Sequence, residues 1–86
     1  MSGKYPPLNP AQVEEILKKA GFNFLRKKGS HFQWEGMVKG KRRLVTVDHF
    51  GGQRSETFGS RLMDSMINQS GLTKNEFYSY HQKKLT

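Results

Sequence analysis

The sequence predicts a small α+β domain with a helix, three antiparallel strands and a closing helical region, in that order. Three observations carry the prediction. Val13, Ile16, Leu17 and Ala20 recur at i, i+3, i+4 and i+7, which gathers apolar groups on one stripe of a helix. Phe32 and Trp34 alternate with His31, Gln33 and Glu35, the period of a strand with one apolar face. Leu62, Met63, Met66 and Ile67 then restore helical spacing. The 86 residues suffice for one core. A domain of this size buries only about 60–65% of the surface its unfolded chain exposes, so nearly every large apolar residue must pack.

Residues 1–8 include Gly3, Pro6 and Pro7 and few groups to bury, and are expected to form a flexible leader. Order begins at Asn9, whose side chain caps free N–H groups; Pro10 suits the first helical position and Gln12 completes a capping-box spacing. Gly21 closes this helix because it accepts a positive φ. Phe22–Arg26 is apolar enough for a strand, Lys27-Lys28-Gly29 reads as a basic turn, and a second strand starts at Ser30. Lys39-Gly40 joins it to a third, Arg43–Val47, in which Val45 and Val47 face the same core. Asp48–Thr57, with Gly51-Gly52, reads as a loop into the next helix. Gly71 ends that helix, and Thr73-Lys74-Asn75-Glu76 has capping-box spacing for a short terminal helix carrying Phe77. The domain is therefore set at 9–80, with 81–86 a basic tail. Helices covering one face of the sheet would leave the other face free.

Fifteen Lys and Arg against seven Asp and Glu give a formal charge of +8, a field that attracts polyanions. A membrane partner is not expected, because no window approaches the roughly 20 apolar residues of a crossing helix. The chain has no Cys, so it forms neither disulfides nor thiolate metal sites. Met1-Ser2-Gly3-Lys4 lacks the apolar stretch of a secretory signal, and a cytoplasmic location is expected. The histidines at 31, 49 and 81 lack the spacing of a helical metal site, so neither metal nor cofactor is expected.

Val13-Glu14-Glu15-Ile16-Leu17-Lys18-Lys19-Ala20-Gly21-Phe22 followed by Arg26-Lys27-Lys28-Gly29-Ser30-His31 resembles the HicA toxin family, also called YcfA-like. Val45-Thr46-Val47, His49 and Ser70-Gly71-Leu72-Thr73-Lys74-Asn75-Glu76-Phe77 extend the likeness over residues 11–77. The resemblance implies a fold like a double-stranded-RNA-binding domain, α-β-β-β-α, with both helices on one face of a three-stranded antiparallel sheet. It also implies an endonuclease that cleaves mRNA, a toxin neutralised by a HicB-like antitoxin. The chain departs from the family where a Val-Pro-x-His run is usual, here Val47-Asp48-His49, and where Gly59-Ser60-Arg61-Leu62 only approximates a Gly-Thr-Leu helix start.

The same resemblance makes His31 the catalytic histidine. An imidazole titrates near 6.5, so it can take a proton from a ribose 2′-hydroxyl or return one to a leaving oxygen. That chemistry needs no cofactor. His49 is the candidate second proton-transfer group, with hydrogen bonding or plain exposure as its other roles. Arg26, Lys27, Lys28 and the Gly29 and Ser30 amides are placed to hold a phosphate beside His31. Ser30, with no acid nearby in sequence, is assigned to the turn or to a phosphate contact. Lys39, Lys41, Arg42 and Arg43 form the densest basic run, at a hairpin tip able to straddle phosphates. Trp34 can stack on a base, but its alternation favours packing. A non-catalytic RNA-binding module of the same fold is the alternative, and a module that only binds an acidic protein is a third reading.

Overall fold

The computed structural model describes residues 5–49 and 57–82. Along the chain run α1 (Pro10–Lys19), β1 (Asn23–Lys28), β2 (His31–Val38), β3 (Lys41–Asp48), α2 (Ser60–Ser70) and α3 (Lys74–Gln82). This is the expected α-β-β-β-α arrangement with a short helix at its end. The strands form one antiparallel sheet in the order β1-β2-β3. Gly51-Gly52 and residues 83–86 of the expected tail lie outside the described residues.

Local chemistry accounts for each boundary. Asn9 and Gln12 make the reciprocal capping box of α1, at 2.8 and 2.9 Å, with Pro10 in its first turn. Two turns of different geometry connect the strands. Gly29 has φ +61° and Ser30 does not follow it, the pattern of a hairpin turn with glycine at the first central position. Lys39 and Gly40 both have positive φ, at 53° and 80°, the geometry whose twist matches the flanking strands. β1 runs through Lys27 and Lys28, so the turn occupies Gly29-Ser30 rather than Lys27-Lys28-Gly29. Thr73 and Glu76 cap α3 reciprocally, at 2.8 and 3.1 Å, and α3 carries His81, which had been expected in the tail.

Hairpin pairing fixes the two faces. Opposite residues share a face, so Phe32, Trp34, Gly36 and Val38 look inward with Val47, Val45, Arg43 and Lys41. His31, Gln33, Glu35 and Met37 look outward with Asp48, Thr46, Leu44 and Arg42. Beneath the inner face lie Val13, Ile16 and Leu17 of α1, Met63, Met66 and Ile67 of α2, and Phe77 of α3. Gly36 makes room for this core: a Cβ there would come within 2.8 Å of the Phe22 ring. α2 runs beside β3, and Gln69 Oε1 accepts the outward N–H of Thr46 at 3.0 Å, covering that edge.

Residues 5–8 differ from the expected flexible leader. Leu8 is fully buried, its carbonyl accepts the Phe58 N–H at 2.9 Å, and Phe58 is itself a core residue. Tyr5 packs on Tyr78 at 5.1 Å, and the Tyr78 hydroxyl donates to the Pro6 carbonyl at 2.8 Å. Prolines prevented a helix there, but not burial of an extended strap. Among the described residues, no helix is long and apolar enough to cross a membrane.

Candidate functional site

The outward face ends in a row of three residues, Lys28 on β1, His31 on β2 and Asp48 on β3, set side by side by strand pairing. His31 follows the Gly29-Ser30 turn directly, so its position is tied to a tight hairpin rather than a free loop. Its side chain is 57% exposed, and Nε2 lies 3.9 Å from Asp48 Oδ2. The other carboxylate oxygen of Asp48 accepts a hydrogen bond from Ser30 Oγ at 3.0 Å. The Ser30 hydroxyl therefore points its proton at Asp48. Its backbone carbonyl accepts the His49 N–H at 2.8 Å, which locks the turn to the end of β3.

The next row inward along the sheet is Arg26, Gln33 and Thr46, with Arg26 Nη1 donating to Gln33 Oε1 at 2.7 Å. α2 closes one side of this end. A cleft of about 210 Å³ lies between His31, Thr46 and Asp48 and the α2 side chains Leu62, Ser65 and Gln69. An exposed imidazole beside a carboxylate and two cations can exchange protons with a polyanion bound there.

Asp48 was placed in a loop by the sequence and no role was expected of it. Its signal was arithmetic: a two-residue turn at Lys39-Gly40 pairs Val38 with Lys41, and continuing the ladder pairs His31 with Asp48. An acid distant in sequence is thereby brought to the histidine.

His49 stands elsewhere. It leaves the sheet on the inward side, where its ring packs on Phe32 at a centroid distance of 4.0 Å and its Nε2 approaches Glu14 Oε2 of α1 at 3.0 Å. That approach is of ion-pair length but lacks hydrogen-bond geometry, leaving enclosed Nε2 without a hydrogen-bond partner among the described residues. Glu14 Oε2 meanwhile accepts the Trp34 indole N–H at 2.9 Å. The structure does not bring the His31 and His49 side chains together, and Trp34 is buried as packing predicts.

The basic residues divide in the same way. Strand parity puts Arg26 and Lys28 outward with His31, and Lys27 inward, its Nζ 5.6 Å from the Phe32 ring. At the hairpin tip Lys39 pairs with Glu76 of α3 at 3.0 Å, and Arg42 with Glu35. Arg43 is half-buried beneath the Gly71 turn and reaches the Val38 carbonyl at 3.4 Å. Lys28 and Lys41 are exposed and have no ion pair among the described residues. Compared with known proteins, the chain matches no family model and no curated protein.

Proposed function

We propose that the protein is a metal-independent endoribonuclease of the HicA type, acting at the His31 end of the outward sheet face. The observation that carries this reading is the row Lys28, His31 and Asp48, an exposed imidazole set between a cation and a carboxylate on a surface of a chain with charge +8. Lys28 and Arg26 draw the RNA phosphate to the row. Neutral His31 takes the proton of the 2′-hydroxyl as that oxygen attacks the adjacent phosphorus. Lys28 and Arg26 stabilise charge on the phosphorane oxygens, and Asp48 stabilises the imidazolium. The P–O5′ bond breaks, the 5′-oxygen takes its proton from solvent at this open surface, and the products are a 2′,3′-cyclic phosphate and a 5′-hydroxyl. His31 then returns its proton to water.

The toxin assignment, the HicB-like antitoxin partner and the cytoplasmic location belong to the same proposal. Expression of the chain should arrest growth and fragment cellular mRNA, and His31→Ala should do neither at equal protein level. Growth arrest with intact RNA would refute it.

One observation favours a second reading, a non-catalytic RNA-binding module. His49 lies against α1 and Phe32, so the row around His31 contains one histidine and no second proton-transfer imidazole. In that case the purified chain binds RNA without cutting it. For either reading, affinity falls with salt by about 0.7 log units per log unit for each single-strand phosphate neutralised.

A further inference from the structure

We propose that Phe24 is a base-stacking subsite for single-stranded RNA, on the inward side of the β1 edge and across the sheet from His31. The inference rests on the RNA reading above, and the test separates the two. Three features point to it. First, Phe24 is 50% exposed, whereas aromatic residues elsewhere in the described core are covered. Second, its ring is held rather than loose: it packs 5.9 Å from Phe32 and, edge-on, 5.7 Å from Trp34, with Trp34 anchored through its indole N–H to Glu14. Third, cations border the aromatic group, with Lys27 Nζ 5.6 Å from the Phe32 ring and Lys18 Nζ 5.9 Å from the Trp34 ring.

A rigid aromatic face bordered by ammonium groups suits a nucleobase flanked by phosphates. Glu14 turns its Oε2 to the Trp34 indole N–H and its side chain is only 14% exposed, so it presents little acceptor surface to a phosphate beside the two ammonium groups.

The position of Phe24 depends on a bulge. The register shifts between Phe24 and Arg26, so Leu25 is the extra residue and side chains two apart emerge on opposite faces. Phe24 and Lys27 therefore face inward while Arg26 and Lys28 face outward. β1 is an exposed edge strand carrying cations on both sides, and a strand of RNA crossing that edge meets His31 on one face and Phe24 on the other.

The test uses the full chain and non-cleavable 2′-O-methyl oligoadenylate about eight nucleotides long, within the usual site size, with an abasic oligomer of equal phosphate count as control. Phe24→Ala and Phe24→Leu should each lower affinity for the adenylate about fivefold or more and leave affinity for the abasic oligomer unchanged. Phe24→Trp should keep tight binding. Trp34, the sole tryptophan, reports locally: the adenylate should change its emission in the wild type and not in Phe24→Ala. Circular dichroism and thermal melting of each variant check the fold. Equal adenylate binding by wild type, Phe24→Ala and Phe24→Leu would overturn the subsite while leaving the RNA reading intact. Equal losses on both oligomers would also overturn it. A wild-type chain that binds neither oligomer would overturn the RNA reading and the subsite with it.

Discussion

His31 and His49 sit at the same end of the sheet, the first opening β2 and the second directly following β3, and the backbone N–H of His49 bonds to the residue before His31. Their surroundings are opposite. His31 is 57% exposed, loosely opposed by Asp48 and flanked on its face by Lys28. His49 is 25% exposed, laid on Phe32 and set against a Glu14 carboxylate already bonded to Trp34. One residue of strand parity separates them. The contrast teaches that a pair of histidines close in space is not a pair of proton-transfer groups unless their side chains leave the same face. The outward side has the access that chemistry on a polymer needs, whereas the inward side has contacts that hold α1 to the sheet.

Stability measurements give the largest test of that division. His49→Ala removes a ring packed on Phe32 and should lower unfolding free energy by about 1–3 kcal/mol in a denaturant titration. His31→Ala, at an exposed position, should change it by less than about 0.5 kcal/mol. Equal costs would erase the distinction. Asp48→Asn comes next: it keeps the acceptor for Ser30 but loses the charge facing His31, and should slow cleavage about tenfold with little change in RNA affinity. A loss of affinity without a loss of rate would make Asp48 part of the binding surface instead.

The smallest effect lies away from both faces. The Thr73 backbone N–H and then Lys39 hold the Glu76 carboxyl below its ordinary range. In the unfolded chain this carboxyl binds a proton at a higher pH than in the folded one, so acidification favours unfolding. The contribution is present above the ordinary value of 4.5 and is lost as pH falls below it. Thermal melts of Glu76→Gln and wild type should therefore converge in acid and differ slightly at neutral pH, with the faces around His31 and His49 unaffected.

Much of the fold was legible because its signals are local. The Asn9 capping box and the turn at Lys39-Gly40 depend on residues a few positions apart and stand as expected; of the stripe Leu62, Met63, Met66 and Ile67 the last three are buried, whereas Leu62 is 46% exposed at the margin of the helix face. Leu8 and Phe58 were missed as core residues because both lie outside regular elements, where no periodicity marks burial. The position of His31 on the outward face was readable from alternation, but its neighbours were only half so. Alternation alone would put Phe24, Arg26 and Lys28 on one face, and the bulge at Leu25 breaks that rule. The roles of Lys39, Arg42 and Arg43 were hidden for another reason: their partners Glu76, Glu35 and the Val38 carbonyl become neighbours only through tertiary packing and strand pairing.

Cleavage of a defined RNA by the purified chain in the presence of a metal chelator tests the central claim most directly, with wild type, His31→Ala and His49→Ala compared at equal concentration. The account predicts fragments ending in a 2′,3′-cyclic phosphate from wild type and from His49→Ala at a temperature where it is folded. For His31→Ala it predicts a rate lower by about 10²–10⁴-fold, the usual scale of a lost general base. Undiminished cleavage by His31→Ala, or cleavage lost on chelation, would contradict it.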